Sequence, residues 1–79
     1  MVVENPVYDW NVANKNMRKI RLKHRMSNRK LVKELGVYLD FSNVCRYETG
    51  RHEPKVEYVL SFCEYFNITL DDLFRENLL

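Results

Sequence analysis

The sequence predicts an all-α domain, and three observations carry that expectation. Apolar residues recur at helical spacings of three and four rather than alternating. Residues that favour helix starts (Asp9 or Asn11, Ser27, Asp40, Thr69) stand before these stretches, and Gly36, Gly50 and Asn67 stand after them. The connections left between them are short, with no repeat, no low-complexity run and no convincing strand. Seventy-nine residues make one domain. A chain of that length buries roughly 60% of its unfolded surface, too small a scaffold for a large multi-step enzyme.

Residues 1–10 read as a short N-terminal arm holding Pro6, and residues 11–77 as the folded domain. Asp9 or Asn11 caps a first helix to about His24, with Ala13, Met17 and Ile20 on one stripe. Ser27 caps a second, turned inward through Leu31, Val32 and Leu35 and stopped by a left-handed Gly36. Asp40 caps a third, with Val44 and Tyr47 inward and Gly50 at its end. Pro54 precedes a fourth, whose Val56, Val59, Leu60, Cys63 and Phe66 form the expected inward stripe, and Asn67 takes the left-handed position after it. Thr69 caps a short fifth helix carrying Leu70, Leu73 and Phe74, with Asp71 and Asp72 against its positive end.

The net charge of +2 conceals an asymmetry. Residues 15–55 hold twelve of the thirteen Lys and Arg but only four of the eleven acids, so that segment is +8 and the remainder −6. Such separation suits a polyanionic partner, although basic helices are also often merely solvated. Other chemistries find no support. Cys45 and Cys63 stand eighteen residues apart on or beside inward stripes, which reads as two reduced core thiols. His24 and His52 have no cysteine at metal spacing, so no metal site is expected. Asp71 and Asp72 cap a helix, no Gly-rich phosphate loop exists, and no cofactor or small-molecule ligand is implied. Asn67-Ile68-Thr69 is a glycosylation sequon by chance. No apolar run approaches the ~18–20 residues that span a bilayer, and the N-terminus lacks the marks of a signal peptide. A small soluble cytoplasmic domain is the expectation.

Helices two and three, joined by a Gly-containing turn and ending in Glu48-Thr49-Gly50, have the arrangement of a helix-turn-helix. Opposite Val44 and Tyr47, the third helix offers Ser42, Asn43 and Arg46. In a major groove, Arg pairs bidentately with guanine, Asn with adenine, and Ser with either. Asn28 and Arg29, at the positive N-terminus of the second helix, suit a phosphate. Thr49, Arg51, His52 and Lys55 flank the loop after the third helix and can hold further phosphates, and Tyr38 can add a hydroxyl.

From Met17 to Phe74 the chain resembles the lambda-repressor-like domains of the Cro and phage-repressor type, the XRE family. The resemblance rests on an ordered set: Met17, Ile20, Arg21, Met26-Ser27-Asn28, Leu31-Val32, Leu35-Gly36-Val37, Val44, Tyr47, Glu48-Thr49-Gly50, Pro54, Val56, Val59-Leu60, Phe62-Cys63, Phe66 and Ile68 to Leu73. It implies a compact five-helix bundle and a cytoplasmic, bacterial or phage-encoded DNA-binding regulator. It places base-reading positions at Phe41, Ser42 and Arg46, with Asn43 beside them, and a phosphate grip at Asn28. Phe41 has two readings, against a thymine methyl or folded inward beneath the turn. Arg21 and Glu48 match family positions that form a buried, structural ion pair. One departure is plain: Gly36 to Gly50 is longer than the family's spacing by roughly two residues, around Tyr38, Leu39 and Asp40. Either helix two runs on, aligning Leu31, Leu35 and Leu39, or the turn is longer.

Two functional classes follow. The first is a sequence-specific regulator of double-stranded DNA, a homodimer in which some of Tyr8, Trp10, Tyr58, Tyr65, Leu78 and Leu79 meet across a two-fold axis. The alternative is a protein-interaction module, an antitoxin or anti-repressor partner that kept the fold without DNA binding. The lengthened turn and the acidic arm favour the second; the basic stretch and Arg46 favour the first.

Overall fold

Local chemistry starts four of the five helices. Asp9 accepts from the Asn11 N–H at 2.9 Å, Ser27 from Lys30 at 3.1 Å and Asp40 from Ser42 at 3.0 Å. Thr69 accepts from Asp72 at 3.0 Å, and Asp72 accepts in return from the Thr69 N–H at 3.3 Å, a reciprocal capping box. The computed structural model describes residues 9–76 and contains α1 (Trp10–Lys23), α2 (Asn28–Leu35), α3 (Phe41–Glu48), α4 (Val56–Phe66) and α5 (Leu70–Leu73). No strand occurs among the described residues. Most of the expected arm, with Tyr8, and the terminal Leu78 and Leu79 lie outside them.

All five helices feed one core. Ala13, Met17 and Ile20 come from α1, Leu31 from α2, and Val44 and Tyr47 from α3. Tyr58, Val59, Phe62 and Cys63 come from α4 and Leu73 from α5. The α4 stripe is thus rotated from the expected one: Val56 and Leu60 are 71% and 53% exposed, whereas Tyr58 and Phe62 are fully buried. Both stripes contain Val59 and Cys63, and the two aromatics bury more apolar area than Val56 and Leu60 would. Tyr58 is therefore unavailable to a second copy. Trp10 is also committed, meeting Phe74 edge-on with ring centroids 5.0 Å apart. In α5 Leu73 is buried and Leu70 is exposed.

One of the two expected core thiols is elsewhere. Cys63 is buried, and that burial pushes its thiol above the ordinary range, while Cys45 is exposed. Val44 and Tyr47 define the inward face of α3, and Cys45 lies one residue, roughly 100°, away from Val44.

The connection between α2 and α3 is the longer turn, not a longer helix. α2 stops at Leu35, where Gly36 (φ 68°) reverses the chain and donates its N–H to the Val32 and Lys33 carbonyls. Val37 and Leu39 then pack on the core while Tyr38 stands fully exposed between them. Gly36 to Asp40 makes five residues, against roughly three to four in the usual motif.

A buried polar residue absent from the sequence reading closes the C-terminal side. Asn16 of α1 donates from Nδ2 to the Leu73 and Arg75 carbonyls, each at 2.7 Å. It thereby satisfies two carbonyls at the end of α5 that the helix itself leaves unpaired.

Candidate nucleic-acid interface

The pose of α3 is fixed at its C-terminal end. Arg21 of α1 donates from Nε to Oε2 of Glu48 at 2.8 Å and from Nη2 to Oε1 at 2.9 Å. Its Nη1 donates to the Met26 carbonyl at 2.7 Å, tying in the α1–α2 connection. The side chains are 11% and 5% exposed, so this bidentate pair is shielded from water. The Glu48 hydrogen bonds, outweighing burial, hold the Arg21 guanidinium above its ordinary pKa. Arg18 approaches Glu48 from the solvent side at 3.9 Å.

With Val44 and Tyr47 inward, the opposite face of α3 is open. Arg46 is exposed there, and Ser42 and Asn43 are half-buried. Arg46 donates from Nη1 to the Asn43 side-chain oxygen at 2.9 Å, which orients the guanidinium along the helix. Asp40 sits at the start of the same face. The Ser42 N–H it accepts, and more weakly the charge of Arg46, hold its carboxyl below the usual range. Cys45 and Thr49 share the outer face, and the Thr49 hydroxyl donates to the Cys45 carbonyl at 2.8 Å. Cys45 is the surface residue that sequence reasoning missed; its spacing of three from Ser42 and four from Thr49 was the available signal.

Phe41, with two readings open, does not fold beneath the turn. It is 43% exposed, and the Arg29 guanidinium lies over its ring at 4.8 Å from the centroid. Leu39 packs against the core instead.

The residues suited to phosphates fall on two flanks of α3. On one flank Asn28, Cys45 and Thr49 line an open cleft of about 400 Å³ together with Lys15 and Arg18, two cations the site reading had not included. The buried Oδ1 of Asn28 has no protein hydrogen-bond partner. On the other flank Tyr38, Asn43 and Lys55 line a second open cleft, of about 550 Å³, with Val37, Leu39 and Asp40. Arg51 and His52 are exposed beyond the helix end, where their N–H groups donate to the Arg46 carbonyl at 2.9 and 3.3 Å. The outer surface of α3 is thus bordered by hydroxyl, amide and cationic groups on both sides.

The model of the helix-turn-helix family matches residues 17–73, more than two thirds of the chain. The chain belongs to that family, the Cro-type or XRE helix-turn-helix proteins. No curated protein and no solved structure matches it. XRE membership makes this a domain of the DNA-binding regulator class, a family not typically enzymatic. Within the XRE frame, α2 and α3 are the two helices of the motif and α1, α4 and α5 its support. No group of His, Cys, Asp and Glu able to hold a metal occurs among the described residues. His24 has a structural place, its ring 4.8 Å from that of Phe66 and its Nδ1 2.9 Å from the Ile20 carbonyl. No helix among the described residues is long and apolar enough to cross a membrane.

Proposed function

We propose that this XRE domain is a sequence-specific transcription regulator of double-stranded DNA, a repressor of phage or mobile-element type acting in the cytoplasm on the nucleoid. α3 enters the major groove, where Arg46 pairs with a guanine edge and Ser42 and Asn43 contact the neighbouring bases. Asn28, Thr49, Arg51, His52, Lys55 and the Tyr38 hydroxyl hold the sugar–phosphate backbone on either side, joined by Lys15 and Arg18. The observation that carries this reading is the exposure of Arg46 on a helix whose last residue, Glu48, is locked in the buried pair with Arg21. A rigid helix presenting an exposed guanidinium, oriented by Asn43, between two cationic flanks suits groove reading. A homodimer would place two such helices on half-sites about 34 Å apart, one turn of DNA.

Titration of a labelled duplex at two salt concentrations tests the reading. Binding that weakens steeply as salt rises supports it, since each phosphate neutralised adds about 0.9 to the slope of log K against log salt. Absence of salt-dependent binding to any duplex would overturn it in favour of a protein-interaction module. Light scattering of the protein on a selected site decides the dimer, and one copy per site would exclude it.

A further inference from the structure

Arg29 and Phe41 come from different helices and meet at the groove-facing corner of the motif. Arg29 is the second residue of α2 and Phe41 the first of α3, and the guanidinium carbon lies 4.8 Å from the ring centroid. That is within the roughly 6 Å over which a cation is drawn to an aromatic face. We infer that Phe41 holds Arg29 as a second guanine reader, so that the stacked pair, and not a phosphate grip, is what Arg29 contributes to sequence specificity. The inference rests on the DNA-reading function proposed above.

Stacking occupies the flat face of a guanidinium and leaves its N–H edge unused. Among the described residues no carboxylate or carbonyl accepts a hydrogen bond from Arg29, in contrast to Arg21, which spends its donors on Glu48 and Met26. A phosphate contact asks only for charge and reach, and an unrestrained side chain supplies both. A ring platform adds orientation, which matters for the two parallel hydrogen bonds that guanine O6 and N7 accept. Phe41 is a large aromatic left 43% exposed at the first position of α3, while Leu39 packs against the core. The lengthened turn therefore leaves the ring at the surface. The exposed part of the ring that Arg29 does not cover is apolar and suits a thymine methyl next to that guanine.

Arg46 is oriented differently, by an in-plane bond to Asn43. Positions 41 and 46 are separated by roughly 7.5 Å along the helix axis. Two guanine preferences are thus expected in each half-site, within about two or three base pairs of each other at roughly 3.4 Å per step.

The test is selection of bound sequences from random DNA, with affinity and salt slope measured on the winning site, for the full chain and its R29A, R29K, F41A, F41L and R46A variants. R29A and R29K should lose one and the same guanine preference and bind the wild-type site roughly 10- to 100-fold more weakly, keeping the preference that depends on Arg46. F41A and F41L should weaken that same preference with an unchanged salt slope, because no charge has been removed. The double variant R29A/F41A should lose no more of that guanine preference than R29A. F41L retains apolar bulk at the site, and thermal melts of each variant separate folding from recognition. If R29A weakens all sequences alike and lowers the salt slope by about one while F41A leaves the selected motif intact, Arg29 is a phosphate contact and the inference fails alone. If the wild-type chain selects no motif at all, the DNA-reading function fails with it.

Discussion

The two faces of α3 are built on opposite terms. On the face turned to α1 the charged groups are spent inside the protein: Glu48 takes two bonds from Arg21, and Arg21 gives a third to Met26. On the outer face Phe41 and Arg46 are exposed, Ser42 and Asn43 are half-buried, and Asp40 caps the helix at the surface. A reading helix needs both, since a side chain can discriminate bases only if the backbone carrying it cannot yield, and only if its own donors are not already used. The difference allocates stability to one face and recognition to the other, so variants on the two faces should fail first in different assays.

The largest effect is expected on the locked face. Glu48→Ala strands the buried guanidinium of Arg21, and loss of one partner from a shielded pair costs ~3–5 kcal/mol. A domain of this length is stable by only about 4–12 kcal/mol in all. Thermal melts of E48A should therefore show a chain largely unfolded at 37 °C, or one whose Tm has dropped by tens of degrees. DNA binding should fall with the unfolded fraction, and the molecules still folded should lose specificity as α3 loosens. An E48A variant that melts like the wild type would show that the ion pair does not hold α3. Asn16→Ala should cost less, ~1–3 kcal/mol, because it leaves the Leu73 and Arg75 carbonyls without a donor but strands no charge. It should leave affinity intact wherever the domain remains folded, since Asn16 does not touch α3.

On the open face the order is reversed. Arg46→Ala should leave the melting temperature within a degree or two and cost ~1–3 kcal/mol of specific affinity per half-site, with non-specific affinity falling less. Selection that returns the same motif for R46A as for the wild type would remove Arg46 from the reading face. Lys55→Ala should be milder still. It lies in the cleft with Tyr38 and Asn43, so its loss should weaken all sequences alike and reduce the salt slope by about 0.9.

How much of this was legible in the sequence follows the range of the interactions. Helix starts and stops were, because Ser27, Asp40 and Thr69 act on N–H groups two or three residues away, and Gly36 and Asn67 on their own backbone angles. The α4 face was not, since periodicity alone admits two overlapping stripes and only the partners decide between Leu60 and Phe62. Cys45 was misplaced because thiols are usually buried, although Val44 and Tyr47 already turned it outward. Asn16 was invisible, its two acceptors lying 57 and 59 residues away. The Arg29–Phe41 stack depends on where the lengthened turn sets α3 against α2, which no spacing rule supplies.

The smallest effect concerns Asp40, where stability and recognition meet in one residue's chemistry. Its carboxylate is favoured in the folded state by the Ser42 N–H and by Arg46, so its pKa lies below the ordinary 3.8. A depressed pKa means a contribution to stability that is complete above the unfolded value and lost as pH falls through the folded one, hence below about pH 4. Asn caps a helix about as well as Asp does but carries no charge. Asp40→Asn should therefore match the wild type near neutrality and show a shallower loss of melting temperature between pH 4 and pH 2. The same substitution removes a negative charge beside Arg46 on the groove-facing end, so affinity for DNA of any sequence should rise modestly at pH 7. The two readouts bear on different sides of the comparison. An unchanged acid limb would mean that the cap does not stabilise α3 through its charge, and unchanged affinity would mean that this end of the helix lies outside the field of the phosphates.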